Sequence, residues 1–272
     1  MLHQFSYAAP RSKTELFSIL DDQAEKAKIL AGGTDLLVNI RNGVMKPQFV
    51  VDIKKVAGYE GITYSPTEGL IFRPTVTIND ILRDPSVRDH YPLLQDCGHD
   101  LASYQVRNRA TIMGNVVNAS PCSDMAPALL CLGAHAVIAS SKGTRQVPFK
   151  DFFTGVKKTV LSPTEVLEAI VIPASSAGGK GAYKKLKRIN GHDLGIIGVA
   201  VYIQGDVLRI AVSSAAPTPV VTPDLPATSS VDDAIAATRH IINPISDVRC
   251  SKEYREFMVE VFVKRLLEEV RK

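Results

Sequence analysis

Residues 28–31, Lys-Ile-Leu-Ala, read as a short buried strand that runs straight into Gly32 and Gly33. Leu36, Leu37 and Ile40 follow at helical spacing, which puts the glycine pair at a strand-to-helix turn. Thr34 or Asp35 is placed to cap that helix, and Gly43 to end it. A turn of this kind aims unpaired backbone N–H groups and a partial positive charge at whatever lies before the helix, which suits phosphate. A lone Gly-Gly fits a ligand-free tight turn at least as well. The glycines serve neither a G-x-G-x-x-G fingerprint, since Asp35 and Leu36 stand where further glycine is needed, nor a phosphate loop ending in Gly-Lys-Ser/Thr.

A second small-residue segment strengthens the ligand reading. Thr111-Ile112-Met113-Gly114-Asn115 continues through Asn118, Ser120, Pro121, Ser123 and Asp124. If buried, these polar groups need partners, from a ligand rich in oxygen atoms or from one another. Two such loops can enclose a long phosphorylated ligand from both sides. Asp124 is an anion and is expected to meet ribose hydroxyls or backbone donors rather than phosphate.

Elsewhere the chain alternates helical and strand-like stretches. Helices are expected at 13–20, 92–101, 126–132, 231–242 and 251–270, and at 77–80 as a capping box opening a short helix. Strands are expected at 49–53, 69–73, 134–139, 166–172, 182–187, 198–203 and 207–212, the last two joined through Gln204-Gly205-Asp206. Residues 174–181, Ala-Ser-Ser-Ala-Gly-Gly-Lys-Gly, have linker composition, and a Pro/Thr-rich loop is expected at 217–226. The pattern is an α+β domain over residues 1–175, with subdomains 1–55 and 56–175, followed by a smaller domain of antiparallel sheet and helices over 176–272.

Composition narrows the function. The 272 residues are 45% hydrophobic and 22% charged, ordinary for a globular protein with a buried core. A net charge of +4, with one short basic cluster at 184–188, gives no basic stripe for nucleic acid. Cys97, Cys122, Cys131 and Cys250 form neither C-x-x-C nor a zinc-like pattern with histidine, so no metal site is expected. The start, Met1-Leu2-His3-Gln4-Phe5, has no cationic and apolar leader, and the expected location is cytoplasmic. Six dispersed histidines pair with no nucleophile in a recognisable motif, so no catalytic side chain is assigned and a cofactor is expected to carry the chemistry.

The chain resembles the FAD-binding subunits of the molybdenum hydroxylases, the flavin subunits of carbon monoxide and xanthine dehydrogenases among them. The resemblance rests on Phe5-Ser6-Tyr7, Ala31 to Leu36, Tyr91-Pro92-Leu93-Leu94, Gln105 to Arg109 and Thr111 to Asn115. It continues through Asn118-Ala119-Ser120-Pro121, Asp124, Phe152-Phe153-Thr154-Gly155, Ser246 to Arg249 and Glu253-Tyr254-Arg255. It implies a vanillyl-alcohol-oxidase-type (PCMH-type) FAD-binding domain followed by the carbon monoxide dehydrogenase flavoprotein-type C-terminal domain. It implies that Ala31, Gly32, Gly33, Thr34 and Asp35 form the first FAD motif and Thr111, Gly114 and Asn115 the second. Asn118, Asp124 and Lys187 would lie by the cofactor. Met113 stands where the family usually has glycine, which implies altered loop packing or flavin exposure there. The implied role is electron transfer within a heterotrimer, itself dimerised in some relatives. Electrons pass from a molybdopterin large subunit, through a [2Fe–2S] small subunit, to FAD and on to NAD or another acceptor. The alternatives are a stand-alone flavin-dependent oxidoreductase acting directly on a small substrate and a non-catalytic module that has lost its cofactor.

Overall fold

The structure is a computed structural model and describes residues 3–189 and 191–272. The N-terminal part is a three-stranded parallel sheet in which Phe49–Asp52 lies between Ser6–Ala8 and Ala27–Leu30. Parallel neighbours need crossovers. The helices Lys13–Gln23 and Leu36–Arg41 supply them. The first is capped by Ser12, whose hydroxyl accepts from the Glu15 N–H, and it buries Leu16 and Leu20, four residues apart on one face.

The second sheet has five antiparallel strands in the order Ile62–Ser65, Gly69–Phe72, Val166–Ile172, His135–Ser140, Gly143–Pro148. Its central strand, Val166–Ile172, is buried over most of its length because both neighbours are paired and helices cover it. Six short helices between residues 78 and 131 pack around this sheet. The capping box at Thr77 is present: its side chain accepts from the Asp80 N–H while Asp80 accepts from the Thr77 N–H.

The third sheet pairs Lys180–Leu186, Ile197–Gln204 and Val207–Ser213 antiparallel, with a two-residue turn at Gly205 and Asp206. The loop expected at 217–226 instead adds two short strands, Val220–Val221 and Leu225–Pro226, to the edge at Val207–Ser213. Side chains alternate faces along a strand. Val199, Val201, Ile210 and Val212 face the long helix Lys252–Val270, while Tyr183, Ala200, Tyr202 and Ala211 join the core of the preceding part.

That second face packs against residues 174–181, the segment of linker composition. Ser176 is buried and its hydroxyl donates to the Leu132 carbonyl. The Tyr202 hydroxyl donates to the Ser176 carbonyl at 2.5 Å and the Gln204 side-chain amide to the Ala177 carbonyl. Small residues are used here for close packing: a Cβ at Gly181 would meet Tyr202 and Leu93 at 3.0–3.2 Å.

The 246–255 region forms one charged knot. Arg255, fully buried, donates to the carbonyls of Ile196 and Ser214 and pairs with Asp247 at 2.8 Å. Arg249 grips the other oxygen of Asp247 and reaches the Gly195 carbonyl and the Cys122 sulfur. The Arg249 bond holds the Asp247 carboxyl far below the usual carboxylate range. No helix among the described residues is long and apolar enough to cross a membrane.

Candidate functional site

Leu30 ends the second strand of the parallel sheet, and the chain turns at Gly33, whose φ of 77° is left-handed. The Gly33 carbonyl accepts from the Leu37 N–H at 3.1 Å, so helical bonding begins there. Among the described residues, the backbone N–H groups of Gly33, Thr34, Asp35 and Leu36 donate to nothing. They are the unpaired donors that every helix start leaves. Neither Thr34 nor Asp35 caps them. Asp35 occupies the cap position without a capping bond, and its carboxylate points to Asn118 instead. The sheet side of the turn is tied by Lys54, whose ammonium reaches the Ala31 carbonyl at 3.3 Å and Asp52 at 2.7 Å. Burial pushes the Asp52 carboxyl up, but bonds from Lys54 and the Tyr7 hydroxyl outweigh it and leave the pKa below the ordinary value.

The second segment opens as a short helix and continues as a loop beyond Asn118. Ile112–Val117 is capped by Thr111, whose hydroxyl accepts from the Gly114 N–H at 2.9 Å. Ile112, Met113 and Val116 are buried, which is the periodicity of a short helix on a core. The Met113 side chain therefore fills the core. The segment is fixed from below by a bridge between Thr77 and Thr111, with bonds from Ile78 to the Ala110 carbonyl and from Ile112 to the Val76 carbonyl.

The two segments meet. Gly32 lies directly on the backbone of Arg109 and Ala110: a Cβ there would fall on the Arg109 carbonyl oxygen and 2.8 Å from its carbon. The absence of a Cβ at Gly32 thus lets the two segments touch, and the left-handed turn at Gly33 follows directly. Asn118 spans the gap by donating to Asp35 at 2.9 Å, and it accepts from Lys157 at 2.9 Å. Asn115 turns inward. Its oxygen accepts from the Ser123 hydroxyl at 2.6 Å and from the Met125 N–H at 3.4 Å. Replacing Asn115 with Ala strands the buried Ser123 hydroxyl, and denaturant titration should show a loss of about 1–3 kcal/mol in folding stability.

Asp124 has a partner that the sequence reading did not assign. Its carboxylate, nearly buried, pairs with the buried Lys185 ammonium at 2.9 Å, and Lys185 also donates to the Asp100 carbonyl. Burial pushes the Asp124 carboxyl up despite Lys185. Lys187 pairs with the Asp100 carboxylate at 2.8 Å. Lys184 pairs with Glu269 and Arg188 with Asp193, so each of these four basic side chains of the 184–188 cluster has an acidic neighbour. The pairings of Asp100, Lys157 and Lys185 depend on contacts between distant segments.

No group of three or more His, Cys, Asp or Glu that could hold a metal ion occurs among the described residues. Cys97 and Cys131 are buried, and burial pushes the Cys131 thiol up to about 12. What the site offers is unpaired N–H donors, amides and paired charges where two chain segments meet, equipment suited to holding a ligand.

Comparison with known proteins agrees in both halves of the chain. A family described as the FAD binding domain in molybdopterin dehydrogenase matches residues 3–175, and the CO dehydrogenase flavoprotein C-terminal domain matches residues 181–270. The carbon monoxide dehydrogenase medium chain of Hydrogenophaga pseudoflava is 32% identical over 97% of this chain and 96% of that one. A putative xanthine dehydrogenase FAD-binding subunit of Escherichia coli strain K12 is 30% identical over 97% and 95%. A chain of the reconstituted CO dehydrogenase from Oligotropha carboxidovorans superposes with a TM-score of 0.92 at 28% identity, covering 99% of this chain and 98% of that one.

Proposed function

Since this chain belongs to the FAD-binding subunits of the molybdenum hydroxylases, oxidoreductases of the CO and xanthine dehydrogenase type, we propose that it takes electrons from a [2Fe–2S] small subunit and delivers them to NAD or another acceptor. A molybdopterin large subunit completes a heterotrimer in this reading, two of which pair in some assemblies, and the location is cytoplasmic. Residues 1–175 form the cofactor domain, with subdomains 1–55 and 56–175, and residues 176–272 the domain that closes against it.

One observation carries the assignment: four free N–H groups beside a left-handed glycine, opposite a second segment bonded directly to the first. That arrangement fits a diphosphate. Ala31, Gly32, Gly33, Thr34 and Asp35 would hold it from one side. Thr111, Gly114, Asn115 and Asn118 would shape the other side, Thr111 and Asn115 by internal bonds that fix the backbone. Asp124 and Lys187 would act at the domain boundary through Lys185 and Asp100. Bound FAD supplies a carrier able to exchange electrons singly and in pairs. The chain's own residues bind, orient and exclude water.

The test is colour and identity. The chain, purified with its partner subunits, is expected to absorb in the visible flavin range and to release FAD, not FMN, on denaturation. A colourless complex that takes up no added FAD would overturn the assignment.

A further inference from the structure

Lys157 sits at the tip of the hairpin formed by Phe153–Gly155 and Lys158–Thr159. Its φ is 59°, a left-handed conformation that costs a lysine energy. Its N–H donates at 2.9 Å to the carbonyl of Ala119, which is itself left-handed with a φ of 44°. Two strained non-glycine residues bonded to each other persist only where their surroundings over-determine them, and such pairs gather at ligand sites.

The side chain has a direct line to the glycine turn. The Lys157 ammonium donates to one end of the Asn118 amide, and the other end donates to the Asp35 carboxylate. Asp35 is awkwardly placed for an anion site: a carboxylate beside free N–H groups that suit a diphosphate repels it. Asn118 keeps that carboxylate engaged, and Lys157 sets an opposite charge on the far side of the same amide. Lys54 is the other cation bonded at this turn among the described residues, and its bonds go to Ala31 and Asp52.

We propose that Lys157 is a positioning residue for the cofactor, fixing Asn118 and, through it, neutralising and orienting Asp35 at the glycine turn. The proposal rests on the assignment of that turn to the FAD diphosphate. Because the ammonium is exposed, its effect is screened by salt.

The experiment uses the full chain in its complex, stripped of flavin and titrated with FAD and, separately, with ADP, which has the diphosphate but no flavin. Lys157→Gly removes the charge and supplies the residue that a φ of 59° favours. The expected result is a melting temperature equal to or above wild type together with a dissociation constant raised about five-fold or more for both FAD and ADP at low salt. The gap should shrink at high salt, Lys157→Arg should stay within about two-fold of wild type, and Asp35→Asn added to Lys157→Gly should recover most of the affinity. Unchanged FAD and ADP affinity in Lys157→Gly, while wild type binds FAD, overturns the proposal and leaves the cofactor assignment standing. Weaker binding that tracks a lowered melting temperature, with no rescue by Asp35→Asn, makes Lys157 merely structural and also overturns it. Wild type that binds neither FAD nor ADP brings down the assignment and the proposal together.

Discussion

A valine at position 32 is expected to force the segment at Gly32–Gly33 away from Arg109–Ala110. The added Cβ would fall on the Arg109 carbonyl oxygen and lie 3.1 Å from the Ala110 Cα, and both neighbours are backbone with no side-chain end to swing away. Arg109 cannot retreat freely, because Ala110 is bonded to Ile78 and the next residue, Thr111, caps its helix. Overpacking against a fixed backbone costs about 3 kcal/mol or more. Denaturant titration of the Gly32→Val variant should show that loss, and the purified complex should carry little FAD. Near wild-type stability with full flavin content would mean that the close approach is dispensable.

The second large effect is expected from Lys185→Met. It leaves the Asp124 carboxylate buried with no cation in contact, and breaking a buried pair from one side costs about 3–5 kcal/mol. The pH dependence has a definite sign. In the fold the Asp124 carboxyl is already raised from its ordinary value of 3.8, by burial first, with Lys185 opposing. A group raised in the fold gives its stabilisation below its unfolded value and loses it as pH rises through the folded one. Removing Lys185 removes the opposing influence, so the variant should lose stability more steeply than wild type as pH climbs above the ordinary carboxylate range. Adding Asp124→Asn should flatten that slope and recover part of the loss. Unfolding curves at a series of pH values decide this; parallel curves for wild type and Lys185→Met would contradict the burial argument.

Local signals carried much of the architecture. The helix at Lys13–Gln23, the central strand Val166–Ile172 and the capping box at Thr77 are set by periodicity and capping chemistry within a few residues. The helix Ile112–Val117 hid its structure because Gly114 and Asn115 are poor helix formers. Burial of Ile112, Met113 and Val116 and the Thr111 cap outweigh that preference. Residues 174–181 show where composition stops informing: small residues suit a flexible linker and a close-packed connector equally, and only Tyr202 and Leu132, far away in sequence, decide between them. Partners such as Asp124 with Lys185, or Asn118 with Asp35 and Lys157, leave no mark in any short window of sequence. The charges that balance these segments become visible only once the chain is folded.

Tyr183, Ala200, Tyr202 and Ala211 belong to the core of the part that precedes them. The C-terminal piece is therefore not an independent cassette but depends on the surface it packs against. Any chimera that exchanges it must also bring a matching surface on the 93–99 and 126–131 helices, and the connector between the pieces is a fitted joint rather than a tether.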